Sequence, residues 1–199
     1  MIRAGRDGDV LTLTLDRPQK ANALTEEMLR DLVAAVAQAE GARLTILTGA
    51  GKAAFSAGAD LAEARAGLAT SPLWEELSGA IAALPGLTVA ALNGTLAGGA
   101  FGMALACDIR LSVPHATFFY PVARLGFLPQ PSDPVRLARL VGPARAKLIL
   151  AGGARLDAAE ALGFGLVDRV TDDPVAAARA LGAGAADHVA AIKAMVPEA

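Results

Sequence analysis

Residues 93–108 read N-G-T-L-A-G-G-A-F-G-M-A-L-A-C-D, and their types suit one half of an enzyme's work. An apolar strand at 87–92 runs into Gly98-Gly99, and an alanine-rich helical run follows. A glycine turn opening a helix leaves backbone N–H groups without intrahelical partners, where the helix dipole favours negative charge. Such donors can form an oxyanion hole for charge that develops on a carbonyl oxygen. The helix behind the turn carries Phe101, Gly102 and Met103, none of which can move a proton. This segment can stabilise charge. Its acid–base partner must come from elsewhere.

The elements that would position the turn follow from periodicity. Residues 10–16 alternate Val-Leu-Thr-Leu-Thr-Leu-Asp and predict a strand. Thr25 is the expected N-cap of a helix whose apolar face is Met28, Leu29, Leu32, Val33 and Val36. Strands are expected at 43–48, 87–92, 109–113, 117–120 and 166–170, and the stretch 55–69 reads as looser chain. Helices are expected from Ser71-Pro72 to about residue 84, from the Gly98-Gly99 turn to 106, and over 135–141 and 143–150. Asp157 caps a short helix, and a further helical stretch follows Pro174. Strands alternating with helices indicate an α/β fold rich in ββα units.

Composition excludes several classes. The chain has 199 residues, 54% of them apolar and only 4% aromatic, so Ala, Leu and Val must build the core. A net charge of −2 without a basic cluster argues against nucleic acid as a partner. The single cysteine, Cys107, cannot form an intramolecular disulfide or a cysteine-cluster metal site. Two distant histidines, His115 and His188, argue against a histidine metal site, so no metal is expected. The N-terminal residues are charged and lack a signal-peptide core. The apolar runs are broken by Gly, Asn or Asp, so no membrane span is expected and the default location is cytoplasmic.

Four segments together resemble the crotonase (enoyl-CoA hydratase/isomerase) family. They are L-D-R-P-Q-K-A-N-A-L at 15–24, L-T-G-A-G-K at 47–52 followed by F-S-A-G-A-D-L at 55–61, the 93–110 stretch, and L-D-A-A-E-A at 156–161 through G-L-V-D at 165–168. The resemblance implies a crotonase-like spiral of ββα units, with a core over 1–172 and a short C-terminal helical segment over 173–199. It implies a coenzyme A thioester as substrate rather than a permanently bound cofactor. It also implies a homo-oligomer, a trimer or a dimer of trimers. The thioester carbonyl would accept hydrogen bonds from the backbone N–H of Ala59 and Gly99. Losing one such donor typically costs about 3–4 kcal/mol of barrier. Lys20 falls where the family contacts the phosphates of CoA. Ala21 and Leu24 would line the pantetheine and adenine path, and Ala57 and Leu61 would flank the adenine. Asp60 stands in the same CoA-contacting set, although holding its loop by capping is the expected role ahead of contact with substrate.

The chain departs from the family at its acids. Hydratases of the family use two glutamates to orient and activate water. The aligned positions here are Gly102 and Val122, and a third acid position used by some members is Gln130. None of the three can act as a base near neutral pH. Hydration by two glutamates is therefore not expected, whereas decarboxylation or other acid-independent chemistry fits. Gln130 and Asp133 remain as catalytic candidates, Asp133 with helix N-capping as the competing role. Glu63, His115 and Tyr120 are weaker candidates with bland structural alternatives. The alternative to an enzyme is a non-catalytic acyl-CoA-binding or assembly subunit.

Overall fold

The chain winds through repeated strand–strand–helix units. The structure is a computed structural model that describes residues 1–182 and 184–196; residues 183 and 197–199 of the expected C-terminal segment lie outside the described residues. The first unit holds β1 (Ile2–Asp7), β2 (Val10–Leu15) and α1 (Glu26–Ala37). The second holds β3 (Leu44–Gly49), β4 (Ala54–Ser56), α2 (Leu61–Arg65) and α3 (Leu73–Ala82). The third holds β5 (Leu87–Leu92), β6 (Thr95–Ala97) and α4 (Phe101–Ala106). The fourth holds β7 (Ile109–Ser112), β8 (Thr117–Phe119), α5 (Val122–Leu125), α6 (Asp133–Val141) and α7 (Pro143–Leu150). There follow β9 (Arg155–Asp157), α8 (Ala158–Phe164), β10 (Arg169–Val170), α9 (Pro174–Arg179) and α10 (Ala186–Met195).

The second, third and fourth units each give one strand to each of two sheets, whereas both strands of the first lie in the larger sheet. The larger sheet runs β1-β2-β3-β5-β7-β10, and the smaller runs β4-β6-β8-β9. Apart from the antiparallel pairs β1–β2 and β8–β9, neighbouring strands are parallel. Parallel strands need covered faces, and the central ones read as unbroken apolar runs for that reason. Along β5, Ala90 and Leu92 enter the main core while Val89 and Ala91 face a second cluster with Leu44, Ile46, Leu111 and Ala178. Ala178 belongs to α9, so this helix covers the outer face of the larger sheet. Among the described residues, no helix is long and apolar enough to cross a membrane.

Local signals explain most boundaries. Thr25 caps α1 by accepting a hydrogen bond from the Met28 N–H. Asp157 and Glu160 form a reciprocal capping box at the start of α8. Four strands are absent from the periodicity: β1, β4, β6 and β9, with β4 opening the stretch read as looser chain. β1 is an exposed edge strand of charged and small residues, and β4, β6 and β9 have three residues each, too few to display alternation. The strand expected at 166–170 shrinks to Arg169–Val170. Leu166 and Val167 instead donate their N–H groups to the Ala161 carbonyl, closing the end of α8 over Gly165, whose φ is +83°.

Candidate active site

The smaller sheet sets the site. β4 and β6 pair in parallel, as do β6 and β8, so the chain leaves all three strands at the same end. Residues 57–59 therefore lie beside 97–99, with Tyr120 following from β8. Glycine lets the first two segments touch through their backbones. A Cβ on Gly58 would lie 2.9 Å from the Ala97 carbonyl oxygen and 3.3 Å from the Gly99 nitrogen. Gly58 also has φ +90°, a conformation that side chains resist.

The hydrogen-bond pattern shows which way the donors face. Leu24 donates its N–H to the Gly58 carbonyl and accepts one from the Asp60 N–H. That parallel bridge uses the groups on either side of Ala59 and turns the N–H of Ala59 away from Leu24. Gly99 sits in the 3₁₀ turn Gly98–Ala100, ahead of α4. The first bonds of that turn run from the Phe101 N–H to Gly98 and Gly99 carbonyls, so the Gly99 N–H belongs to the donors that a helix start leaves over. Both residues are half-buried.

A polar framework holds the Ala59 loop. The buried side chain of Asn22 accepts from the Arg17 N–H and donates to the carbonyls of Ala50 and Ala54. Ser56 Oγ donates to the Asn22 carbonyl and accepts from the Gly58 N–H. Asn93 spans from the Gly49 N–H to the carbonyls of Gly51 and Ala54. On the Gly99 side, the Trp74 ring takes the space of a side chain: a Cβ there would stand 3.3 Å from its six-membered ring. Trp74 Nε1 in turn donates to the Leu68 carbonyl at 2.8 Å. Leu68 lines a cleft of about 520 Å³ with Glu26, Glu63, Gly67 and Ser71.

The acid end of the site differs from the sequence reading. Asp133 does not cap α6. It is the first residue of that helix, and its side chain is fully buried. Tyr120 Oη donates to Asp133 Oδ2 at 2.7 Å, whereas Oδ1 has no hydrogen-bond partner among the described residues. Oδ1 lies 3.0 Å from where a Cβ on Gly102 would be. Leaving a buried polar atom unpaired costs about 1–3 kcal/mol, so the arrangement requires a reason. Burial pushes the Asp133 carboxyl up to about 6; the Tyr120 hydrogen bond opposes this, Glu75 adds to it, and Arg136 opposes it. Burial first, and then the Asp133 charge, drive the Tyr120 hydroxyl well above its ordinary range. The Phe101 and Tyr120 rings stack with centroids 5.2 Å apart.

Other expected site residues are dispersed. Gln130 is buried and donates Nε2 to the Ala69 carbonyl at 3.0 Å, tying its loop to the turn at Leu68–Thr70. Lys20 and Leu61 are exposed, Ala57 is exposed beside them in the fold's surface, and Ala21 is half-buried. Two of the expected CoA-contacting residues are used elsewhere. Leu24 is wholly buried in the core, and Asp60 caps α2 through Oδ1 while pairing with Arg17 through Oδ2 at 2.8 Å. The Arg17 hydrogen bond holds the Asp60 carboxyl below its ordinary range. Glu63 accepts from the Glu26 N–H at the start of α1. His115 bonds the Lys52 carbonyl on an exposed turn. Sequence reasoning missed Asn22, Ser56, Asn93 and Trp74 as positioning residues. The first three stand inside the motifs, but only three-dimensional proximity reveals what they clamp.

An α/β spiral with two glycine-lined backbone segments meeting at one strand end defines a class, and comparison with known proteins gives the family. The family model described as enoyl-CoA hydratase/isomerase matches residues 5–198. The chain belongs to the enoyl-CoA hydratase/isomerase family, and its fold is crotonase-like. It is 41% identical over 168 residues to YngF of Bacillus subtilis, covering 80% of this chain and 64% of that one. It is 38% identical over 178 residues to a carnitinyl-CoA dehydratase of Salmonella arizonae, covering 85% and 67%. The crystal structure of an enoyl-CoA hydratase/carnithine racemase from Magnetospirillum magneticum superposes with a TM-score of 0.87 at 32% identity, over 97% of this chain and 78% of that one. The chain thus spans about two thirds of the length of the first two relatives.

Proposed function

We propose that this chain binds an acyl-CoA thioester with its carbonyl oxygen between the backbone N–H groups of Ala59 and Gly99. The observation that carries this reading is the meeting of their two segments through Gly58, with the Leu24 bridge using the groups on either side of Ala59 and Gly99 opening the turn before α4. Fixed donors of this kind stabilise an enolate oxygen without reorganising as charge develops. The exposed Lys20, Ala57 and Leu61, with the half-buried Ala21, supply the surface over which the CoA portion extends. Water addition by two glutamates lies outside the proposal, because Gly102 and Val122 have no group that orients or deprotonates water. Chemistry that starts or ends at a thioester enolate, decarboxylation included, lies within it. Association into a trimer or a dimer of trimers and a cytoplasmic location complete the reading. Exposed apolar side chains such as Leu128, 85% accessible, support association.

Calorimetric titration with acetyl-CoA and butyryl-CoA tests binding, and mass spectrometry of enoyl-, malonyl-type and 3-hydroxyacyl-CoA mixtures tests turnover. Saturable binding with turnover of at least one thioester is expected. Binding without turnover of any would replace the enzyme with a non-catalytic acyl-CoA-binding subunit. Absence of binding would end the proposal.

A further inference from the structure

We propose that the Asp133 carboxyl, standing over Gly102 and held by Tyr120, is the group that exchanges a proton with the acyl carbon adjoining the thioester carbonyl. This rests on the acyl-CoA reading above and supplies the proton-moving group that positions 102 and 122 lack.

Three observations lead to it. The first is the unpartnered oxygen. Asp133 is fully buried, Oδ2 is satisfied by Tyr120, and Oδ1 has no partner among the described residues. One hydrogen bond fixes the carboxyl through Oδ2 and leaves Oδ1 unsatisfied. The second is place. Gly102 follows Gly99 by three residues, so the two share a helix face, separated by about 4.5 Å of rise. A helical Cα–Cβ bond tilts toward the N-terminus, so the space above Gly102 opens toward the Gly99 donor. Asp133 Oδ1 stands 3.0 Å from that Cβ position. The absent side chain at 102 makes room for an acid delivered from α6. The third is charge. The α4 side chains facing α6 are apolar or absent, and on α7 Arg145 and Lys147 are exposed. From α3, Glu75 accepts the N–H and Oγ–H of Ser132, and Arg136 donates to the same Ser132 Oγ. Glu75 and Arg136 thus both engage Ser132 and act on the Asp133 carboxyl in opposite directions, and burial keeps both of its protonation states accessible near neutral pH.

The step balances. When an enolate is quenched, the Oδ1–H bond breaks and the proton goes to the α-carbon. The enolate carbon–carbon π pair forms the new C–H bond, and the oxygen charge held by Ala59 and Gly99 returns as the carbonyl. Asp133 is left as the carboxylate. In reverse, the carboxylate removes the α-proton and regenerates the enolate.

Deuterium uptake at C2 of butyryl-CoA in heavy water, followed by NMR with the full chain, tests the assignment. Uptake is expected to rise with pH through about 6 and then level off, because abstraction needs the carboxylate. Asp133→Asn should lower uptake by about 10²-fold or more while leaving the dissociation constant for butyryl-CoA within about twofold. Tyr120→Phe removes the hydrogen bond that lowers the Asp133 carboxyl, so its inflection should move to higher pH. Uptake by Asp133→Asn at the unsubstituted rate overturns the proposal. So does an unmoved inflection in Tyr120→Phe, which decides the matter even where Asp133→Asn does not fold. Butyryl-CoA binding without any uptake by the unsubstituted chain overturns the role of Asp133 and leaves the acyl-CoA reading standing. Absence of binding removes both.

Discussion

Gly102 and Asp133 fit together as space and occupant: a Cβ on Gly102 would meet Asp133 Oδ1 at 3.0 Å. Alanine in the middle of a helix ordinarily stabilises by about 0.5–1 kcal/mol over glycine. Here Asp133 is held by Tyr120 at the start of α6 and cannot retreat freely. Gly102→Ala should therefore destabilise the chain by about 1–2 kcal/mol in urea unfolding. Combined with Asp133→Ala, the loss should be smaller than the sum of the two by at least about 0.5 kcal/mol. Strict additivity would show that the two positions do not interact.

The buried carboxyl gives stability a definite pH dependence. Asp133 moves from an ordinary value of 3.8 up to about 6 on folding, so between these values the folded chain binds more protons than the unfolded one. Stability contributed by the neutral carboxyl is present below pH 4 and is lost as pH rises through about 6. The loss is on the order of 3 kcal/mol at most. Asp133→Asn should therefore gain on the unsubstituted chain between pH 4.5 and pH 7.5. Denaturant curves at the two pH values measure the difference, and a gap that stays constant contradicts the expectation.

Gly58 joins the two donor segments. Alanine there meets both a φ of +90° and the Ala97 carbonyl oxygen at 2.9 Å. Gly58→Ala should cost about 2 kcal/mol or more of stability. It should also weaken butyryl-CoA binding, because the Ala59 and Gly99 segments must separate. Unchanged binding in a folded Gly58→Ala chain would detach this contact from the proposed site.

Asn22 separates backbone conformation from hydrogen bonding. Its φ is +52°, and its side chain serves Arg17, Ala50 and Ala54. Asn22→Ala loses the bonds and adds strain, whereas Asn22→Gly loses only the bonds. Alanine should be the more destabilising, with glycine costing about 2–3 kcal/mol and alanine about 1 kcal/mol more. Thermal melts of the pair give the order directly.

Cys107 should be chemically silent in the folded chain. Burial pushes its thiol up to about 12, and Sγ donates to the Met103 carbonyl. A thiol reagent at pH 8 should leave the native chain unmodified and label it fully in denaturant. Fast labelling of the native chain would mean that α4 opens locally.

What each segment is able to do is legible in its own residues. Thr25, Asp157 and the alternation along 10–16 carry their own structural instructions, since caps and strand faces are set by residues a few positions apart. The motifs around Gly58 and Gly98-Gly99 likewise display their backbone permissiveness in the chain itself. Short-range signals run out where pairing is short: β6 and β9 exist because neighbouring strands complete them, not because three residues prefer to be extended.

Which residues meet depends on packing between distant segments. Asp133 carries an N-capping signal in sequence, and the same carboxyl serves Tyr120 because burial beside β8 offers a hydroxyl where solvent would otherwise be. Its proximity to Gly102 spans thirty-odd residues and arises from α4 packing on α6. Parallel pairing of β4 with β6 brings Gly58 to Gly99 in the same way. The physical reason is common to both. Local preference acts over one helical turn or one strand face, whereas a site assembled from separate ββα units exists only once the sheets have fixed the register between them.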